Sequence, residues 1–461
     1  MIFFIPFQHI FVNFIKPLSP AISVFFNRLD KITILIFLPI ALIKLYKNNN
    51  APNKRFYVFL FIPILFIGLG GLISGIVNGN PFLATFHGTF HYFMYPLLMF
   101  IYAAFFSELS IFKRVFRILL IIAVSLGVIA LVQAVWAYTN LYILKKGVFK
   151  IYYLELGTLL GGVGESDFGE PWRIGLYRTS SLMINYNFLG LYVLLIFVIY
   201  MYFVEKRNSG ALFFLIFSIF GSVSRIVYTG FIFISGIQLL RGRKWFLLLL
   251  IPFIVLIVRL SFLYDYPLIK TQDYFEAKEE AARLMKREKS NDRVNMSFRE
   301  YAKMKGIEIW RDQPVFGVGP GMYGGAISLK YNSPVYEKYN FSPYMKYYLD
   351  LWRTIDQFWP QILAELGIIG VIGHGIFFIS LATVFVFLIK KSLSNQMKGL
   401  FTAFLLYTVV VLIYTVGLPL NIAPISYTYF ALIGMGLGCV VQDIDELVGR
   451  ESIGQKLALK R

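Results

Sequence analysis

Long apolar stretches alternate with polar segments near 32–46, 57–77, 82–106, 116–138, 182–203, 211–223, 226–240, 245–263, 359–389, 399–417 and 422–441. A helix needs about 20 mostly apolar residues to cross the hydrocarbon core of a bilayer, so the pattern predicts membrane helices. The runs 211–223 and 226–240 are short and flank the polar group GSVSR, which marks them as half-length helices around a break. Residues 5–26 are interrupted by Lys16, Pro17 and Pro20. No basic segment precedes them and no small-residue cleavage site follows, so they read as a first membrane helix and not a signal peptide. The expected fold is an all-α polytopic membrane protein of about 12 transmembrane helices.

Basic residues orient these helices, because cytoplasmic loops are enriched in Lys and Arg. Lys44, Lys47, Lys54 and Arg55 follow the second span, and Lys113, Arg114 and Arg117 lie between the fourth and fifth. Lys206 with Arg207, then Arg241, Arg243 and Lys244, then Lys390, Lys391 and Lys398 fall in alternate loops; Arg450, Lys456, Lys460 and Arg461 end the chain. All lie on one side of a twelve-helix arrangement, which places both termini in the cytoplasm. The expected division is an N-terminal bundle at 1–263 with an outer loop at 140–177, a large extracytoplasmic loop at 264–358, C-terminal helices at 359–441 and a cytoplasmic tail at 442–461. The large loop holds 15 Lys/Arg against 13 Asp/Glu. Helices are predicted in it at 276–288 and at 297–312, the second ended by Pro314.

Composition sharpens the class. The chain of 461 residues is 58% hydrophobic and only 15% charged, against about a quarter charged in an average soluble domain. Intrinsic disorder is excluded. One cysteine, Cys439, rules out an intramolecular disulfide and a thiolate metal site. The formal charge of +19 belongs mainly to the cytoplasmic loops and tail, and so reports topology and not nucleic-acid binding.

Candidate chemistry lies where polar groups meet the outer ends of spans, since such groups are expensive near lipid. Arg225 interrupts two apolar runs. Arg178 precedes SSLMINYNFLG, in which Asn185 and Asn187 open the next span. Arg299 sits in the large loop, Asp356 and Gln357 lie where that loop re-enters the membrane, and Glu365 follows within the span. Converging arginines make an anion site, because guanidinium groups stay charged and bind phosphate oxygens bidentately. Each residue has a plainer alternative. Arg178 can snorkel at the interface, Arg299 can lie on a solvated helix face, Asp356 can be a helix N-cap, and Glu365 can pair with a basic neighbour. The segment FGVGPGMYGG, with Gly317 and Gly319, lacks the strand and helix of a dinucleotide fingerprint and the Lys-Ser/Thr of a P-loop. It reads as a tight turn that presents backbone amides to an anion or positions the loop. His87 and His91, one turn apart in FHGTFHY, lack the further ligands of a metal or haem site and read as a buried polar pair.

Four of these segments, in order, resemble the O-antigen ligase and polymerase family: RTSSLMINYNFLGLYV, GSVSRIVYTG, WRDQPVFGVGPGMYGG and IDQFWPQILAELGIIG. The resemblance covers about 175–375 by motif. It implies a glycosyltransferase C-superfamily-like fold and a metal-independent membrane glycosyltransferase acting outside the bacterial cytoplasmic (inner) membrane, with no cofactor. Its donor would be a glycan on undecaprenyl pyrophosphate, whose pyrophosphate is held by outer-face arginines. Arg178, Arg225 and Arg299 match those arginines, with Arg293 an alternative for the last. Asn187, Gly317, Gly319 and Glu365 fall in the matching motifs as substrate-binding candidates. Asp356 stands where the ligases carry a histidine taken to activate the acceptor hydroxyl, a departure that resembles the polymerase branch.

The expected activity is therefore a polymerase joining lipid-linked repeat units, with Asp356 as general base. The alternatives are a ligase transferring glycan to lipid A-core and, from another class, a flippase for lipid-linked oligosaccharide. Besides the lipid-linked oligosaccharide and membrane lipid, a chain-length regulator or export protein is an expected partner; nucleic acid is not.

Overall fold

The computed structural model describes residues 2–4, 7–16, 19–47, 54–138, 172–173, 176–177, 179, 181–183, 185–240, 298–342, 346, 349–350, 354–355, 357–391 and 394–458. The described residues are almost wholly helical. In chain order they form α1 (Gln8–Ile15), α2 (Pro20–Asn27), α3 (Leu29–Lys47), α4 (Lys54–Val77), α5 (Phe82–Phe105) and α6 (Leu109–Tyr138). A two-residue antiparallel pair follows, β1 (Trp172–Arg173) with β2 (Leu176–Tyr177). Next come α7 (Tyr186–Phe203), α8 (Ser209–Gly221), α9 (Arg225–Leu240), α10 (Phe298–Asp312), α11 (Ala326–Lys330), α12 (Val335–Lys338), α13 (Phe358–Lys390), α14 (Asn395–Tyr414) and α15 (Ala423–Ala458).

Six stretches among the described residues are long and apolar enough to cross a membrane: Arg55–Val77, Leu109–Trp136, Tyr186–Phe203, Phe358–Lys390, Asn395–Tyr414 and Ala423–Val440. With α3 and α5, more polar but of similar length, they form a polytopic bundle. The expected span 245–263 and the expected helix 276–288 lie outside the described residues. Large apolar side chains such as Ile36, Leu65, Ile121, Val132, Ile372 and Ile379 face outward, as a lipid-facing surface requires.

Residues 5–26 depart from the expectation of a first membrane helix. They fold as α1 and α2, eight residues each and so about 12 Å long, too short to cross. The interruption visible in the sequence is the cause. Ser19 caps α2 by accepting from the Ile22 amide, and Pro20 occupies its first turn, where a missing N–H is harmless. The two helices close into a hairpin, with Gln8 donating to the Phe26 carbonyl at 2.7 Å and Ser23 to the Val12 carbonyl at 3.2 Å.

Tight contacts between the long helices are made through small residues, as is usual where lipid and side chains are equally apolar. Gly71 and Gly75 of α4 receive Thr89 and Thr85 of α5. Gly434 and Gly438 of α15 lie directly on the α5 backbone at Met99 and Ala103, the second also against the carbonyl of Phe106 just past the helix. Helix α5 is thereby fixed between α4 and α15, and one end of it carries the segment 314–325.

Candidate functional site

Helix α13 is interrupted at Gly367, where φ is +62° and ψ −154°. In an unbroken helix the carbonyls of Ala364 and Glu365 would accept from the amides of Ile368 and Ile369. Here the glycine segment takes their place. Val318 N–H donates to the Ala364 carbonyl at 2.8 Å and Gly319 N–H to the Glu365 carbonyl at 2.9 Å. In return, Ile368 N–H donates to the Pro314 carbonyl at 2.9 Å and Ile369 N–H to the Val315 carbonyl at 3.4 Å. Four backbone bonds are exchanged between a loop and a broken helix, so non-helical backbone at the bundle is satisfied by protein, as it must be away from water.

The end of α4 completes this arrangement. Ser74 Oγ donates to the Phe316 carbonyl at 2.5 Å, Asn78 Nδ2 to the Gly317 carbonyl at 2.9 Å and Asn80 Nδ2 to the Val318 carbonyl at 2.8 Å. The glycines are needed for conformation and for approach. Gly317, Gly319, Gly321 and Gly324 all have positive φ, which residues with a Cβ resist. On the facing helix, a Cβ at Gly88 would run into the Pro320–Gly321 peptide.

Glu365 is 1% exposed and uses both carboxylate oxygens internally. Oε1 accepts from the Tyr323 amide at 2.7 Å, and Oε2 from the Tyr92 hydroxyl at 2.5 Å. Gln361, one turn earlier, donates to the Tyr323 carbonyl at 3.1 Å. Tyr323 in turn donates its hydroxyl to the Ala302 carbonyl on α10, and burial pushes that hydroxyl well above its ordinary pKa. It therefore stays a neutral donor. The Tyr336 hydroxyl accepts from the Gly324 amide at 3.0 Å and pairs with Ser328 Oγ at 2.5 Å. Lys305, buried against this core, donates to the Tyr339 carbonyl at 2.7 Å and pairs with Glu308 at 3.0 Å.

This core carries the expected loop residues. Arg299 is exposed in the first turn of α10, and its carbonyl accepts from Gln357 Nε2 at 3.1 Å. Ile355 N–H donates to the Gly324 carbonyl at 3.0 Å. The residues on either side of position 356 are thus fixed, one to the glycine segment and one to Arg299. Asp356 itself lies outside the described residues, as do Arg178 and Arg293.

Arg225 belongs to a second group. It is half-buried and begins α9, after a turn at Ser222–Ser224 in which Val223 takes φ +43°. The freed ends of α8 are met locally: Ser222 Oγ donates to the Ile219 carbonyl at 2.7 Å and the Tyr228 hydroxyl to the Phe220 carbonyl. The Gly221 carbonyl accepts from the Thr179 amide at 2.9 Å. The residue that follows Arg178 in sequence is therefore bonded to the break that carries Arg225. A cation at a helix N-terminus adds to the positive end of the helix dipole, which makes this turn an electropositive place. Ser181, also at positive φ, exchanges two bonds with Gln133 of α6, at 2.9 and 3.1 Å. Asn187 is half-buried in the first turn of α7, its amide held by the Asn185 side chain at 2.8 Å.

The sequence pattern did not single out Tyr92, Tyr323, Ser74, Asn78 or Asn80. The polar triplet Asn78-Gly79-Asn80 directly after an apolar helix was the available signal. His87 Nδ1 lies 2.9 Å from the Tyr331 hydroxyl. No group of three or more His, Cys, Asp or Glu side chains suited to a metal occurs among the described residues.

Residues 210–375 match the family model described as O-antigen ligase. The matched region runs from α8 through the Arg225 break, the loop core and the interrupted half of α13. No curated protein matches the chain. The family match supports an O-antigen ligase/polymerase-like family, and with it glycan transfer of the ligase/polymerase type by a membrane protein that handles lipid-linked polysaccharide.

Proposed function

We propose that this protein polymerises lipid-linked oligosaccharide on the outer face of the cytoplasmic membrane. It would transfer glycan from an undecaprenyl-pyrophosphate donor to a sugar hydroxyl of a second lipid-linked repeat unit. The observation that carries this reading is the O-antigen ligase match over 210–375, which contains both Arg225 at its helix break and Arg299 beside Gln357.

In the proposed step the acceptor oxygen forms a bond to the anomeric carbon while the bond from that carbon to the pyrophosphate oxygen breaks. The electron pair leaves with undecaprenyl pyrophosphate, and the hydroxyl proton passes to the Asp356 carboxylate. Attack opposite the leaving group inverts the anomeric centre. Charge grows on the pyrophosphate as the bond breaks, so the guanidinium groups of Arg178, Arg225 and Arg299 (or Arg293) would stabilise the transition state more than the ground state. Guanidinium charge supplies the leaving-group assistance that a metal ion gives elsewhere, so the step is written without one.

A ligase is the second reading, favoured by the description of the matched family; it would use the same donor with lipid A-core as acceptor. Purified protein in proteoliposomes, given undecaprenyl-pyrophosphate oligosaccharide, separates them. A ladder of lengthening glycans supports the polymerase, while transfer only to added lipid A-core replaces it with the ligase. Translocation without transfer overturns both in favour of a flippase. Near wild-type turnover by Asp356→Asn would remove the base assigned above.

A further inference from the structure

The segment that follows Arg178 in sequence brings two hydroxyls to the break between α8 and α9. Thr179 is fully buried, and its amide donates to the Gly221 carbonyl at 2.9 Å. A Cβ added at Gly221 would lie 2.7 Å from Thr179 Oγ1, so this hydroxyl sits against the last residue of α8. Ser181 is 4% exposed, and the Gln133 side chain holds both its amide and its carbonyl. Neither Thr179 Oγ1 nor Ser181 Oγ has a hydrogen-bond partner among the described residues.

The hydroxyls of the turn itself are used locally. Ser222 and Tyr228 donate to carbonyls of α8, and Ser224 Oγ accepts from the Val227 amide at 3.5 Å. The local fold therefore has no use for the Thr179 and Ser181 hydroxyls, and a buried hydroxyl without a partner destabilises it. Backbone strain falls at the same place. Ser181 and Val223 have φ of +53° and +43°, and for a β-branched residue left-handed backbone is a genuine outlier. Unpaired buried groups and strained backbone collect where a site is shaped for a ligand and not for stability.

The surroundings select what these hydroxyls meet. Arg225 begins α9, and its charge adds to the positive end of that helix. Beside a cation and a helix N-terminus the favoured ligand is an anion, to which a hydroxyl donates. We propose that the Thr179 and Ser181 hydroxyls donate to phosphate oxygens of the undecaprenyl-pyrophosphate donor, making the α8–α9 break a mixed hydroxyl and guanidinium site. This rests on the reading of Arg178 and Arg225 as the pyrophosphate site and adds groups of a different kind to it. Guanidinium charge draws the anion in, whereas neutral donors at fixed positions select how it lies.

Affinity and stability, measured together, test the proposal. The double variant Thr179→Val/Ser181→Gly removes both hydroxyls, puts an apolar group of the same shape at one position and a glycine at the left-handed one. The full chain in neutral phosphatidylcholine nanodiscs is titrated with undecaprenyl pyrophosphate carrying no sugar, and its unfolding midpoint is taken without that lipid. The variant should bind at least about tenfold more weakly, with a midpoint equal to or above that of the wild type. Thr179→Ser, which keeps a hydroxyl, should bind as the wild type does. Unchanged affinity in the double variant overturns the proposal. So does weaker binding that comes with a lowered midpoint, the mark of a merely structural pair. Inorganic pyrophosphate that binds as tightly as the lipid, and is weakened as much in the variant, overturns the lipid as the source of the anion. No binding by the wild type overturns the proposal whatever its activity. A wild type that binds the lipid through these hydroxyls but makes no glycan ladder sinks the polymerase reading and leaves the hydroxyl pair standing.

Discussion

The Tyr323 amide donates to Glu365 Oε1 at 2.7 Å, joining a loop to the inside of a membrane helix through a carboxylate that solvent does not reach. With Tyr92 on the other oxygen, Glu365 ties α5, α13 and the glycine segment at one point. Glu365→Ala removes the acceptor of the buried Tyr323 amide and Tyr92 hydroxyl, and of the Gly321 amide and Gln361 side chain as well, at about 1–3 kcal/mol for each donor left unpaired. Glu365→Gln keeps an acceptor for the Tyr323 amide and is expected to be the milder change. Thermal unfolding in detergent should rank wild type above Gln above Ala; equal midpoints for Gln and Ala would remove this role.

Gly367→Ala is expected to damage the same junction through the backbone. At φ +62° and ψ −154° the backbone lies in a region that glycine alone adopts readily, at a cost of about 1–3 kcal/mol to a residue with a Cβ, and the added carbon would collide with the Val315 carbonyl. Limited proteolysis at Lys303, which is exposed on α10, should be faster in the variant. Unchanged cleavage would show that the loop is held without the break.

For Arg225, the informative substitution is lysine. A point charge cannot reproduce the bidentate fork of guanidinium on phosphate oxygens, so Arg225→Lys should lose about 10²-fold or more in turnover while its unfolding midpoint stays near the wild type. Retained activity in the lysine variant would reduce the role to charge alone.

Topology is testable in the native background, because Cys439, the chain's one cysteine, is buried at 1% exposure. A cysteine at the exposed Glu308 should react with a membrane-impermeant maleimide added outside cells. One at the exposed Lys113 should react only after permeabilisation. The reverse pattern would invert the proposed orientation.

The helices were legible because hydropathy is local. The expected break between 211–223 and 226–240 corresponds to α8 and α9 at Ser209–Gly221 and Arg225–Leu240, and the loop helix expected at 297–312 is Phe298–Asp312. The loop's attachment was not legible. Asn78 meets Gly317 and Asn80 meets Val318 across more than 200 residues of chain, and no local pattern encodes such pairs. Glu365 was conspicuous as an acid in an apolar run, but its partners include loop backbone amides and one tyrosine of thirty. The glycine segment carried two sequence interpretations, presenting amides to an anion or positioning the loop. The structure commits the Val318 and Gly319 amides to α13. Residues 5–26 misled because composition alone was apolar enough for a span, whereas the Lys-Pro interruption decided the shape.

The exchanged bonds at Gly367 make residues 314–319 and 364–369 a single heritable unit. Each half supplies what the other lacks, so neither can be exchanged for a different sequence alone. A chimera that takes this loop from another protein must bring along the interrupted helix and the Ser74–Asn80 corner, while the distal half of α13 can stay native. Sequence change that leaves this junction intact is thus confined to parts of the loop outside the seam.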